Sequence, residues 1–393
     1  MQYVQRSILL LICLTVLFGC NSARMQEKQS KETRLEETSQ PSNLFVVMDN
    51  KKYGFIDRTG KIVIKPQFES ATDFVEGRAI VGIRNDEFKL SYIDEAGRLI
   101  AFPQFDNVQN FSEGLAAVGV GEFTMHGGGN HKWGFVDKTG KLVIELNFRE
   151  IRDFSEGLAA VMNEDGKWGY IDKTGKVVIP FQFEDAFSFS EDLACVLTDG
   201  LFGFIDKSGK VVIEPRFSIP SQFKEGLASV KIGDKNNKVL KYYNQYYALE
   251  GELMFIDKTG NTAIKFDGDV VKINDFSEGL AAIVVKEKED DFYTGFIDKT
   301  GKLVIKLPFY GLIGNFSEGL AIVEHKDKYG FINKRGKIVV KLKYPDAEGF
   351  RNGLAKISIG KQLRDFEGTE NLGYNPKSGY IDKTGKVIWQ PTK

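Results

Sequence analysis

Two motifs recur in constant register along this chain, and that repetition restricts its fold more than any other feature. The first reads G-[F/Y]-[I/V]-D-K-T-G-K-x-V-I. Its acidic or Asn position falls at Asp57, Asp94, Asp137, Asp172, Asp206, Asp257, Asp298, Asn333 and Asp382. The second reads F-S-E-G-L-A, with its Phe at Phe74, Phe111, Phe154, Phe189, Phe223, Phe276, Phe316 and Phe350. From each Asp or Asn to the next motif Phe the distance is 17 residues in six of eight cases, the exceptions being Asp257 to Phe276 and Asp298 to Phe316. A third landmark is an aromatic 11 residues after the Asp or Asn, at Phe68, Phe105, Phe148, Phe183, Phe217, Phe309 and Tyr344.

Each unit reads as three short β runs. Leu158-Ala159-Ala160-Val161 is the first, Lys167 to Asp172 the second, and Lys176 to Pro180, rich in β-branched residues, the third. Between the second and third, D-K-T-G-K suits a type I turn followed by a left-handed Gly and a bulge. The Asp of that turn can accept backbone N–H groups, so these residues are turn builders before they are ligands. The Gly of F-S-E-G is expected at positive φ; Asp192 replaces it once, and Asp tolerates that region better than most residues. The motif Phe and the aromatic 11 residues after the Asp are the expected large core residues of each unit.

These residues resemble the WG-repeat (KWG) family of bacterial proteins. Lys132-Trp133-Gly134-Phe135 and Lys167-Trp168-Gly169-Tyr170 carry the name motif outright. Lys52-Tyr53-Gly54-Phe55, Leu201-Phe202-Gly203-Phe204 and Lys328-Tyr329-Gly330-Phe331 carry aromatic variants, while Ser91-Tyr92 and Met254-Phe255 lack the Gly. The resemblance implies a repeat scaffold and a binding role, without one shared activity. Counting strand triplets gives nine units, from Leu44–Phe68 to Leu354–Pro391. A three-stranded unit cannot bury its apolar face alone, so stacking supplies the core. Propellers typically have about four to eight blades of four strands, and no strand is left over at one end to complete a blade at the other. The expected fold is therefore all-β, a tandem array of nine three-stranded antiparallel units. An open or superhelical form is favoured over a closed propeller-like ring.

The N-terminal residues point to a compartment. Ser7 to Gly19 is an apolar run of 13 residues after Arg6, shorter than the roughly 20 needed to span a bilayer as a helix and suited to a secretory signal. It ends in Leu17-Phe18-Gly19-Cys20, which resembles the bacterial lipobox, Phe18 departing from the usual small or aliphatic residue. That resemblance implies acylation at Cys20, with 1–19 as signal peptide and 20–43 as lipidated Cys and polar tether before a repeat array over 44–393. The segment from Asn21 to Asn43 is polar and of mixed charge, too poor in apolar residues to fold alone. Lipid anchoring implies a membrane-attached protein of the cell envelope.

Catalytic chemistry is hard to find. The chain has 3 His, and its net charge of −1 argues against a nucleic-acid partner, which calls for a basic patch. His126-Gly127-Gly128-Gly129 superficially matches the oxyanion segment of esterases but lacks a G-x-S-x-G elbow. His126 and His131 sit in a Gly-rich stretch with no Cys partner, so no metal and no other cofactor is expected. The run Gly169 to Lys176 has the wrong spacing for a phosphate loop. After acylation of Cys20 and loss of Cys13, Cys195 stands alone and reads as a core thiol. The expectation is a binding scaffold for a protein or glycan, not an enzyme; an envelope spacer and a polysaccharide-acting hydrolase are the alternatives. Long insertions between the first and second strands fall at Gly121–Lys132, Gly233–Glu252, Lys286–Thr294 and Gly360–Lys377. In stacked units such insertions emerge on one side, often the binding face. The longest holds Tyr242, Tyr243, Tyr246 and Tyr247, the candidate partner-binding residues. Their i, i+1, i+4, i+5 spacing also suits one face of a short helix packed on its own repeat.

Overall fold

The computed structural model describes residues 42–84, 87–100, 105–121, 131–232, 240–242, 245–247, 251–266, 268–288, 291–309, 311, 313–359 and 377–391. The repeats form a compact unit over Asn43–Lys393. Nine small antiparallel sheets are set in a ring, a nine-bladed β-propeller, and the expectation of an open or superhelical array is overturned. Blade 4 shows the plan: Glu150–Ile151, Leu158–Met162, Trp168–Asp172 and Val177–Phe183 pair in chain order. Blades 2, 3, 5, 7 and 8 are likewise four-stranded. The expectation of three strands per unit is therefore corrected for these six blades, while blades 1, 6 and 9 are three-stranded among the described residues. The missed strand lies just before the motif Phe and can be two residues long, as in Asp185–Ala186 of blade 5, too short to show a period.

The local reading of the unit holds. Ser155 and Leu158 exchange backbone hydrogen bonds of 2.9 and 3.2 Å around Glu156 (φ 53°) and Gly157 (φ 88°). Two consecutive positive φ values make this a two-residue type I′ hairpin turn joining the first and second strands. Asp192 takes the glycine position in blade 5 at φ 71°. The turn between the third and fourth strands closes through Gly175 N–H to Asp172 O at 2.9 Å, with Gly175 at φ 84° and a register shift in the ladder beside it.

The core lies between blades. Each motif Phe packs on the third-strand aromatic of the preceding blade: Phe55–Phe74, Tyr92–Phe111, Phe135–Phe154, Tyr170–Phe189, Phe204–Phe223, Phe255–Phe276, Phe296–Phe316 and Phe331–Phe350, with centroids 4.7–5.0 Å apart. The ninth pair is Phe45–Tyr380 at 5.4 Å, joining blade 9 to blade 1. Gln40 stands where a motif Phe would fall before blade 1, and Phe45, from the strand Phe45–Asp49, fills the role. Closure thus needs no strand shared between the ends, which is why a search for a spare strand missed it.

Polar ties reinforce the seams. The Glu113 carboxylate, on the I′ turn of blade 3, accepts Gly157 N–H of blade 4 at 3.0 Å and pairs with Lys173 Nζ at 3.1 Å. A Glu at positive φ is unfavourable by about 1–2 kcal/mol, and the arrangement persists where surrounding contacts over-determine it. The same Glu–Lys pair recurs as Glu76–Lys138, Glu156–Lys207, Glu191–Lys258, Glu225–Lys299, Glu278–Lys334 and Glu318–Lys383. A second tie runs from the motif Ser to the next motif Phe carbonyl, as in Ser155 Oγ to Phe189 O at 2.7 Å. These roles of the motif Glu, Ser and Lys were absent from the sequence reading, although their fixed recurrence was the available signal.

Candidate partner-binding face

The residues with catalytic potential are accounted for one by one. Cys20 and His126 lie outside the described residues. His131 immediately precedes the strand Lys132–Asp137, and His325 stacks on Phe309 with centroids 4.7 Å apart. Among the described residues no three His, Cys, Asp or Glu side chains gather as a metal site. Cys195 is buried, and that burial pushes its thiol up to about 12, where the reactive thiolate is scarce.

The repeated aspartates build turns. Asp172 Oδ1 accepts Thr174 Oγ1 at 2.6 Å, Thr174 N–H at 2.9 Å and Lys176 N–H at 3.1 Å. The hydroxyl bond is the main cause holding the Asp172 carboxyl below its ordinary range, and Asp57, Asp206, Asp257 and Asp298 are lowered in the same way. A depressed folded pKa contributes stability that is present above the unfolded value of 3.8 and lost as pH falls through the folded one. Acidification below 3.8 is therefore expected to loosen these turns together. Asn333 shows the neutral alternative, its Oδ1 accepting Arg335 N–H at 3.0 Å and Lys337 N–H at 3.1 Å. Replacing all five aspartates with Asn should shrink the proton uptake that accompanies acid unfolding in a potentiometric titration. Unchanged uptake would refute the assignment.

Strand direction sorts the loops. In a blade of four antiparallel strands in order, the I′ turn and the D-K-T-G-K turn share one end. The connections between second and third strands lie at the other end, with the crossings between blades. The strand ends that flank all four insertions therefore lie at that second end. Those of the third and ninth blades, 122–130 and 360–376, lie outside the described residues. In blade 7 the insertion is an extended hairpin of Leu280–Lys288 and Asp291–Asp298. Its Tyr293 ring is capped by Lys306 Nζ, 4.1 Å from the centroid, while the same Nζ pairs with Glu287 at 2.6 Å.

In blade 6 the insertion contains a separate two-stranded hairpin, Leu240–Tyr242 with Gln245–Tyr247. Its register pairs Leu240 with Tyr247, Lys241 with Tyr246 and Tyr242 with Gln245. The helical spacing is corrected accordingly: Tyr242, Tyr246 and Tyr247 lie on strands, and Tyr243 falls outside the described residues.

At the foot of this insertion is a groove that the sequence reading did not anticipate. It is lined by Glu252, Leu253, Lys265, Phe266, Asp269 and Val270, with Gly251 and Gly268. Its origin is a broken repeat. The aromatic expected 11 residues after Asp257 is Gly268, and the fourth strand of blade 6 stops at Thr262–Lys265, whereas its blade 5 counterpart runs from Val211 to Phe217. Strand Asp269–Ile273 of blade 7 forms the far wall, pairing with that blade's hairpin at Asp269↔Lys286 and Val270↔Val285. Lys265 pairs with Glu252 at 3.2 Å, and Asp269 is exposed. The groove thus combines a half-buried aromatic with both signs of charge, a lining able to donate and accept hydrogen bonds around an apolar floor. The displaced aromatic of the sixth unit, Phe266 in place of one at 268, was the sequence signal for it.

A family model described as WG containing repeat matches residues 53–85, 91–122, 133–168, 168–202, 202–235, 254–288, 295–329 and 329–362. No curated protein matches the sequence. Among solved structures, a crystal structure of a eukaryotic initiation factor is similar with TM-score 0.58 at 12% identity, covering 89% of this chain and 96% of that one. BamB from Moraxella catarrhalis gives 0.39 at 13% identity over 80% and 90%. The β-propeller domain of the trilobed protease from Pyrococcus furiosus gives 0.39 at 11% over 74% and 97%. At these identities the first likeness speaks to the fold alone, and the other two add no weight to it.

Proposed function

We propose a function from one premise, that the chain belongs to the WG-containing repeat family: it is a bacterial envelope lipoprotein, anchored through Cys20, whose propeller is a non-catalytic scaffold for a protein or glycan partner. The observation that carries the binding role is the breakdown of the repeat at one place. Blade 6 shifts its aromatic two residues earlier, to Phe266, and gains the Tyr-bearing insertion, and blade 7 beside it extends a hairpin, both at the insertion end. A spacer has no need of irregularity gathered at one groove. The lipobox resemblance of Leu17-Phe18-Gly19-Cys20 supports the anchor, and multiple acylation of the kind that class receives would make it stable.

The test is capture of envelope proteins and cell-wall glycans by the fragment from Asn43 onward. Excising Asn236–Leu249 with a Gly-Ser bridge leaves the blade 6 strands Leu227–Lys231 and Leu253–Asp257 in place. It should preserve the β signal in circular dichroism while reducing capture, and Asp269→Ala should reduce capture independently. Full-strength capture by both folded variants would sink the proposed face. Cys20→Ser in the full chain should abolish acylation and release the protein from membranes. A mature N-terminus away from residue 20, without lipid by mass spectrometry, would sink the anchor.

A further inference from the structure

We propose that the end of the ring carrying the D-K-T-G-K turns seats on an anionic lipid surface, with the groove facing away from it. The orientation uses the anchor reading above; the surface itself is argued from the described residues. The strand after each D-K-T-G-K turn, the fourth of a full blade, is an edge strand that starts at this end. In eight of the nine units it opens on an exposed Lys or Arg and at least one exposed aliphatic side chain, as in Lys176-Val177-Val178, Lys210-Val211-Val212 and Lys337-Ile338-Val339. These aliphatic side chains are 36–54% exposed and make up most of the exposed large hydrophobics among the described residues. The core takes the residue that follows, such as the fully buried Ile179. Strand propensity would be met as well by Thr, which blade 6 uses in Asn261-Thr262-Ala263. Edge strands are commonly blunted with charge, and aliphatic side chains gathered at one end of a molecule mark a contact surface.

The charge that stands outermost at this end is positive. The first Lys of a turn is held by a Glu, as Lys173 by Glu113. The turn Asp is held by its own backbone, as Asp172 by the N–H groups of Thr174 and Lys176. The Lys after the glycine is exposed, and Lys176, Lys210 and Lys337 make no ion pair among the described residues. In blade 2 the equivalent Arg98 is 81% exposed and its partner Asp94 only 16%. Further along these strands two acids, Glu145 and Glu214, stand against Lys65, Arg216, Lys265, Lys306, Lys341 and Lys343 among the described residues. The net charge of the chain is −1, so this edge is not a sample of a generally basic protein. An ammonium beside a half-exposed aliphatic matches a lipid phosphate above the acyl region. A partner protein needs one distinctive patch; the same motif repeated around a ring suits a fluid surface of uniform chemistry. The chain also enters the ring here: Phe45 pairs with Ile56, beside Asp57 of the first turn, so residues 20–43 lead to the turn end of blade 1. The groove lies at the opposite strand ends, where Lys265 closes its strand and Leu253 and Asp269 open theirs.

Vesicle flotation of the fragment from Asn43 onward, which carries all nine blades and lacks Cys20, tests the surface apart from the anchor. Phosphatidylcholine vesicles with about 30% phosphatidylglycerol should bind it at low salt and release it at about 0.5 M salt. Phosphatidylcholine alone should bind it at least roughly tenfold more weakly. Lys61→Glu, Lys337→Glu and Lys386→Glu together, on the adjoining blades 1, 8 and 9, should weaken binding at least roughly tenfold, since each lysine near the surface contributes about fivefold. Lys51→Glu, Lys167→Glu and Lys328→Glu change the net charge equally at the other end. They should leave binding within about twofold, because about 17 Å of strand exceeds the screening length of about 10 Å at 0.1 M salt. All six lysines are exposed, and circular dichroism confirms that both variants fold. No binding to the anionic vesicles, equal binding to both compositions, or equal loss in the two variants overturns the proposal. Self-association in sedimentation that the first variant abolishes, without vesicle binding, also overturns it and makes this end a contact between copies. Failure here leaves acylation of Cys20 to its own test by mass spectrometry.

Discussion

Phe154→Ala is expected to destabilise the propeller by roughly 3–5 kcal/mol, the range for truncating a buried Phe. Phe154 is 1% exposed and meets Phe135 edge-on at 4.8 Å, so the cavity opens between blades 3 and 4 and not within one sheet. The lost ring also packs with Leu115, Ile144 and Val161, which come from both blades. Chemical denaturation should give the free-energy change. Hydrogen exchange should show Leu115–Val120 and Leu158–Met162 loosening before the strands of blade 7. In a ring each blade has two neighbours, so damage spreads both ways from the seam. Loosening confined to blade 4, with blade 3 protected, would contradict a core placed between blades. A loss below about 1 kcal/mol would place Phe154 outside any core, since even Ile→Val in a core costs that order.

The repeating unit was legible because its chemistry is local. Asp172, Thr174 and Gly175 specify a turn within five residues, and Glu156-Gly157 specify another within four. Closure was not legible because it depends on residues hundreds of positions apart. The bond from Tyr380 Oη to Val46 O joins two ends whose sequences depart from the repeat. Phe45 takes a place that Phe154 and its equivalents fill elsewhere, and it does so from a different strand. The short first strands escaped for another reason: Glu150–Ile151 pairs at only two positions and carries no alternation of its own. The groove lay between these cases. Gly268 in place of an aromatic is visible in the sequence, but only the structure shows Phe266 meeting Phe255 in its stead and a groove beside it. Tyr242, Tyr246 and Tyr247 were misread in period, because their spacing fits a helix face while they lie on two paired strands.

The two glycines of each repeat look equivalent in sequence, and substitution should separate them. Gly301, in the turn between third and fourth strands of blade 7, has φ +84°, and a Cβ there would lie 2.8 Å from Ile264 Cγ2 of blade 6. Gly319, on the I′ turn of blade 8, has φ +83°, and a Cβ there would meet nothing within 4 Å. Both substitutions to Ala carry the backbone cost of a left-handed L-residue, about 1–2 kcal/mol. Only Gly301→Ala adds a steric term, because Ile264 is buried in the seam and must shift into a packed core, at about 1–3 kcal/mol for overpacking. The expected losses are therefore roughly 2–5 kcal/mol for Gly301→Ala and roughly 1–2 kcal/mol for Gly319→Ala. Asp192, at φ 71° in the equivalent of Gly319, already shows that the I′ turn accepts a side chain. The turn of the other kind keeps Gly in all nine units, as a position constrained by both φ and the preceding blade requires. Matched denaturation curves decide the point. Equal losses at the two sites would mean that backbone conformation alone selects these glycines and that the turn does not set the spacing between blades.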